Sequence, residues 1–150
     1  MTFHLESAAF GPDQEIPRRH VREGDNLSPP LKWSGAPLET KSYMLVVEDP
    51  DAPNGTFHHW ALFDIDAACD HLDEATGLAA THGRNDFGNT GYDGPQPPRG
   101  HGVHHYHFRL AALDVPTLGV GDGADIARIQ SQARRHVLDE AELIGTFEAR

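Results

Sequence analysis

Apolar residues in this chain fall into many short runs rather than long helical stripes. Ser42-Tyr43-Met44-Leu45-Val46-Val47-Glu48 is nearly continuous in apolar character, which predicts a strand buried on both faces. Phe57 to Ile65 reads as a second strand and Val103 to Leu113 as a third, aromatic and β-branched at its start. Weaker strands are expected at Thr2 to Ala8, Leu31 to Trp33 and Leu143 to Phe147. One helix is expected from about Asp125 to Glu140, where Ile126, Ile129, Ala133 and Val137 form an apolar stripe and Arg128, Gln132 and Arg135 face water. A short helical turn is expected within residues 67–76. Prolines and glycines punctuate the whole sequence, most densely between Gly83 and Gly102. A loop as long as 81–102 in a small domain is usually functional or disordered, and this one abuts the histidine cluster, which favours function. Neither an internal repeat nor an interdomain linker is evident. The pattern therefore predicts a single domain over residues 1–150, mainly β, built as an antiparallel sandwich or barrel with a small C-terminal helix.

Composition narrows the partners. The 150 residues are enough to bury a core, and 38% apolar with 23% charged residues is ordinary for a globular chain. Acids outnumber bases 23 to 12, giving a net charge of -11 with histidines neutral. Such a field repels nucleic acid and anionic membrane surfaces, so any anion must be held in a local site. The sequence Met1-Thr2-Phe3-His4-Leu5-Glu6-Ser7 has no signal-peptide character, and no apolar stretch has the length of a membrane span. A single cysteine, Cys69, permits no internal disulfide. These features lead to the expectation of a cytoplasmic protein without integral membrane association.

Eleven histidines are many for this length, and His58, His59, His101, His104, His105 and His107 are clustered. Alternation along a strand sorts them by face. On the Val103–Leu113 run, His104 and Tyr106 share a face with Phe108, Leu110 and Ala112, while His105 and His107 lie on a face that reads as mostly solvated. On the Phe57–Ile65 run, alternation groups His59 with Phe57, Ala61, Phe63 and Ile65, and His58 with Trp60 and Leu62. Asp49 follows Tyr43, Leu45 and Val47 on the first strand. Three polar groups thus end three apolar faces. A buried charge or imidazole without a partner is costly, so these groups are expected to meet at one strand end. Alternation alone leaves open whether they form a ligand site or a core hydrogen-bond network.

Several segments carry a resemblance. Asp49-Pro50-Asp51-Ala52-Pro53, His59-Trp60, Gly94-Pro95-Gln96-Pro97-Pro98-Arg99-Gly100-His101-Gly102-Val103-His104-His105-Tyr106 and Asn26-Leu27-Ser28-Pro29-Pro30-Leu31-Lys32-Trp33 resemble the signature segments of the phosphatidylethanolamine-binding protein (PEBP) family. That family includes the Raf kinase inhibitor proteins and short bacterial relatives. The resemblance implies a PEBP-like antiparallel β-sandwich with a small pocket for phosphate, phosphorylethanolamine, acetate or cacodylate. Matched residue by residue, the pocket lining would be Asp49, His59, Pro97, Pro98, Gly102, His104 and Tyr106. The chain departs from the family in lacking the longer C-terminal extension of the eukaryotic kinase regulators. His105 also stands where many relatives carry arginine.

A phosphoryl ligand needs donors, and His59, His104, the Tyr106 hydroxyl and backbone N–H groups of Gly100-His101-Gly102 are the expected ones. Asp49 would orient a histidine or receive the ammonium of a zwitterionic headgroup. The function expected is binding of a small anionic or zwitterionic phosphorylated ligand, without metal or cofactor. A protein partner and a homodimer are both compatible with the sequence, with His105, His107 and Trp60 as interface candidates. The rival is a metal-dependent or other hydrolytic enzyme using the histidines. Against it, alternation splits His104 from His105 and His107, and no Gly-x-Ser-x-Gly elbow is present. Cys69 lies outside every motif, and Ser28 is better explained as a structural cap.

Overall fold

A computed structural model describes residues 2–77 and 80–150. Among the described residues eight strands and one α-helix follow the chain: β1 (His4–Glu6), β2 (Leu31–Ser34), β3 (Ser42–Asp49), β4 (Phe57–Asp66), β5 (His71–Leu72), β6 (Thr81–His82), β7 (His104–Leu113), α1 (Ile126–Ala133) and β8 (Val137–Phe147). They make a three-stranded sheet, β1-β2-β5, and a five-stranded sheet, β6-β4-β3-β7-β8. Every strand pairing is antiparallel.

All eight residues of β3 are buried, because it is the central strand and the sheet is covered on both faces. On one face Tyr43, Leu45 and Val47 join Trp60, Phe108 and Leu110 in a core that also takes Phe3, Leu5 and Trp33 from the small sheet. Burying one side chain of this size stabilises by about 1.5–3 kcal/mol. On the other face Met44, Val46, Ala61, Phe63, Ala111 and Leu113 pack with Ile126, Ile129 and Ala133 of α1. This second face of β7 was expected to be mostly solvated. His105 and the Arg109 side chain keep much of their surface, whereas Ala111 and Leu113 are covered by the helix.

α1 is shorter than the expected 125–140. Asp125 caps it by accepting from the Arg128 backbone N–H, but after Ala133 the chain makes a 3-10 turn and enters β8. Val137 is therefore a strand residue paired with Leu113, not part of the helical stripe. Ten paired positions against β7 outweigh the local helical pattern, since tertiary context routinely overrides propensity. The expected helical turn in 67–76 is likewise absent. Asp66 accepts the Ala68 N–H in a side-chain-closed turn, and His71–Leu72 then pairs with β2. Within the described residues no helix is long and apolar enough to cross a membrane.

Candidate functional site

At the Asp49 end of the large sheet, a cavity of about 410 Å³ opens between the strand ends and the loops that follow β3 and precede β7. Asp49, His59, Pro97, Pro98, His104 and Tyr106 all line it; Gly102 stands outside the lining. The loop after β3 supplies one rim, and Phe57, Asp86, Phe87 and Gln96 complete the wall. No lysine or arginine is among the described residues that line the cavity.

His59 reaches this cavity by an irregularity that alternation could not reveal. Val47 pairs with Trp60 but Glu48 with His58, so His59 is the extra residue of a β-bulge. A second irregularity lies between Tyr43–Ile65 and Leu45–Leu62, where Asp64 takes φ 56°. The two together place Trp60, Leu62 and Ile65 in one core and Ala61 and Phe63 in the other. The expected grouping of His59 with Ala61 and Phe63 is therefore wrong, although its conclusion about His59 stands. Trp60, expected as an interface candidate, has no exposed surface and donates its indole N–H to His82.

Each polar group in the cavity is held by specific partners. The loop residue Asp93 donates its N–H to the His59 carbonyl, and His59 Nδ1–H donates to the Asp93 carbonyl at 2.9 Å. Because Nδ1 carries that proton, Nε2 of neutral His59 is a lone pair. Burial pushes the His59 imidazole below its ordinary range, opposed by the Asp93 carbonyl and the Asp49 charge. The Asp93 carboxylate is itself held by Asn26, Asn85 and Asn89, with Arg22 at 3.5 Å. Arg22 also lies 4.1 Å over the Phe87 ring and donates to Gln96, so the cation nearest this wall braces it from behind.

Asp49 Oδ1 accepts from the Asp51 N–H, and Oδ2 accepts from His104 Nδ1 at 2.5 Å. The other His104 nitrogen, Nε2, lies 2.6 Å from His101 Nδ1. Both nitrogens of His104, expected as a ligand donor, are thus committed. The expected backbone donors are partly spent as well: Gly100 N–H donates to the Ala149 carbonyl and His101 N–H to that of Pro98. Tyr106 remains. Its hydroxyl is buried without a hydrogen-bond partner of good geometry. Burial, with the nearby Asp49 charge, raises its pKa far enough to keep it protonated.

The surface histidines sort as follows. His105 is exposed and pairs with Asp51, and His107 pairs with Glu142. His58 bridges two carboxylates, Asp86 on the cavity rim at 2.9 Å and buried Glu48 at 3.3 Å. Asp86 and Phe87 carried no sequence signal beyond their place in the long 81–102 loop. Among the described residues no group of three or more His, Cys, Asp and Glu is placed to hold a metal ion.

Comparison with known proteins agrees with this architecture. The model of the phosphatidylethanolamine-binding protein family matches residues 6–148. A UPF0098 protein of Pyrococcus horikoshii is 41% identical, covering 95% of this chain and 75% of its own. The Escherichia coli protein YbhB is 37% identical over 89% of this chain and 92% of its own. The crystal structure of Escherichia coli YbcL, described as a member of the mammalian PEBP family, superposes with a TM-score of 0.95 at 32% identity over the full length of both chains. A Chlamydia trachomatis homologue described as a putative phosphatidylethanolamine-binding protein gives 0.92 at 34% identity over 99% of each. This chain belongs to the phosphatidylethanolamine-binding protein family.

Proposed function

We propose that the protein binds a small phosphorylated headgroup that brings its own proton, either a phosphate monoester in its monoanionic form or a zwitterion such as phosphorylethanolamine. The observation that carries this reading is the buried, unpartnered Tyr106 hydroxyl on the cavity wall. A buried hydroxyl without a partner is costly, and a ligand oxygen placed there would relieve the cost. Neutral His59 Nε2 and the Asp49 carboxylate are acceptors beside it. A fully ionised phosphate would meet lone pairs at both. A ligand carrying an acidic P–O–H or an ammonium group would satisfy one of them while its anionic oxygen accepts from Tyr106. The apolar wall of Phe57, Phe87, Pro97 and Pro98 would exclude water and strengthen these contacts.

On this reading the chain binds without turnover. The Cys69 thiol is engaged with the His71 carbonyl and the Ser28 hydroxyl with the Thr76 N–H, and neither residue lines the cavity. Calorimetry with phosphorylethanolamine and inorganic phosphate tests the proposal. Both should bind, and the double variant His59→Ala/Tyr106→Phe should lose both. Inorganic phosphate has no ammonium to replace its acidic proton, so its affinity should fall as pH rises and that proton is shed. Phosphate affinity that stays level as the proton is lost, or affinity for either probe that survives the double substitution, means the cavity is not the site.

A further inference from the structure

His101 is where the hydrogen-bond chain that starts at Asp49 reaches the surface. Asp49 and His104 are 3% and 1% exposed, whereas His101 is exposed. The flanking residues Gly100 and Gly102 take φ of 76° and 89°, a conformation that suits glycine and sets the intervening ring against His104.

Proton counting fixes what the outward nitrogen of His101 can do. Only one proton fits between His104 Nε2 and His101 Nδ1: two would repel, and none would leave lone pairs facing each other at 2.6 Å. His104 Nδ1 carries a second proton, donated to ionised Asp49. If both rings are neutral, the shared proton belongs to His101 Nδ1 and its outward Nε2 is a bare lone pair. If the pair holds one proton more, His101 Nε2 bears hydrogen whichever ring is formally charged. The outward nitrogen therefore turns from acceptor to donor when the pair gains a proton. The charged and titratable groups around the pair are Asp49 and Asp51 at the end of β3, His59 on β4, and His105 and Tyr106 on β7. The C-terminal segment is tied to this loop through Gly100–Ala149 and Arg99–Arg150 and adds Glu148 and Arg150.

We propose that His101, which stands outside the cavity lining but contacts His104 on its wall, supplies the imidazole hydrogen bond to the anionic oxygen of a ligand held beside it. Asp49 and His104 act behind it as positioning residues that hold the proton. The assignment rests on the anion reading above and replaces His104 by His101 as the ligand-contacting histidine.

The test is calorimetry on the full chain with inorganic phosphate and, separately, phosphorylethanolamine, from about pH 5.5 to 8, on wild type, His101→Ala and His101→Gln. The ratio of wild-type to variant affinity cancels each probe's own titration. His101→Ala should bind about tenfold or more weakly at the acid end, and the ratio should shrink towards one as pH rises. His101→Gln donates at any pH, so it should keep part of the acid-end affinity and exceed wild type at the alkaline end. A preference of the wild type for phosphorylethanolamine over phosphate would identify the headgroup as the source of the anion. Equal binding by wild type and His101→Ala overturns the assignment alone. Tighter binding by His101→Ala overturns it too, because the ring would then be a plug over His104. Failure of the wild type to bind either probe overturns the anion reading and this assignment with it. Nitrogen chemical shifts of the ligand-free wild type give a separate check: one hydrogen should be shared between His104 Nε2 and His101 Nδ1, and hydrogen on both or on neither refutes the shared proton.

Discussion

The His59 imidazole stands edge to face against the Tyr106 ring, with centroids 5.3 Å apart and planes at 77°. The contact joins β4 to β7 across the end of β3 and forms the floor of the cavity. The two residues are held differently. His59 is anchored by the Asp93 carbonyl, while the Tyr106 hydroxyl is buried and unpaired. A buried hydroxyl without a partner costs stability, so mutation can separate its effect on folding from any effect on binding.

Tyr106→Phe removes that unpaired hydroxyl and keeps the ring contacts. Stability should be unchanged or rise by up to about 1 kcal/mol, while affinity for phosphorylethanolamine falls. Urea unfolding and calorimetry on the same variant report both. A variant that loses stability and binds normally contradicts the role given to the hydroxyl.

Asp93 gathers three asparagine amides and Arg22 around one carboxylate and places the carbonyl that orients His59. Burial works to raise its pKa, but the amides of Asn89, Asn26 and Asn85 and the Arg22 guanidinium outweigh it and hold the carboxyl below its usual range. Asp93→Ala should cost about 2–4 kcal/mol, since it strands several donors. The folded pKa is depressed, so the carboxylate's contribution is fully present above the unfolded value near ~3.9 and fades as pH falls below it. Denaturation at neutral and acid pH should show the gap between wild type and variant narrowing on acidification. A constant gap would point to packing alone.

Gly94 brings two backbones together. A Cβ there would fall 1.9 Å from the His20 carbonyl oxygen, and its N–H donates to Asn26 Oδ1. Gly94→Ala must push the Asp93–Gly94 segment away from residue 20, at about 1–3 kcal/mol. Thermal melting should drop by several degrees, on the order of 5 °C. An unshifted melting temperature would show that the close approach is not needed.

His58 sits between Glu48 and Asp86, and its hydrogen bond to Glu48, helped by Asp86 and opposed by burial, raises its pKa. Glu48 is correspondingly lowered, by His58 first, against its own burial and with help from Arg109. A raised histidine contributes stability that is fully present below the unfolded value near ~6.5 and is lost as pH climbs through the folded one. The stability difference between wild type and His58→Gln should therefore be largest at mildly acid pH and shrink above neutrality. Denaturant midpoints across that range decide it, and a difference that grows with pH would reverse the assigned sign.

Alternation along β7 correctly separated His104 and Tyr106 from His105, because that strand runs in register with β3 from Ser42–Leu113 to Glu48–His107 without interruption. The same rule misgrouped β4, where two register shifts move residues between faces. A bulge is set by what the neighbouring strand and loops require, and no residue of Phe57–Ile65 announces it. The contact of His101 with His104 escaped alternation for a similar reason. It depends on the turn made at Gly100 and Gly102, outside the strand.

The sequence by itself determined the strand-rich sandwich, the central buried strand at 42–49 and the meeting of Asp49, His59, His104 and Tyr106 at one strand end. Those follow from local hydrophobic periodicity and from segments whose order and spacing resemble one family. Tertiary structure decided the rest. It ended the helix at Ala133 by pairing β8 with β7, turned His59 inward through a bulge, and brought Asp86 and Phe87 to the cavity. It also committed both His104 nitrogens to protein partners. These are long-range pairings and proton-sharing geometries, fixed by packing across the sheet rather than by neighbours along the chain.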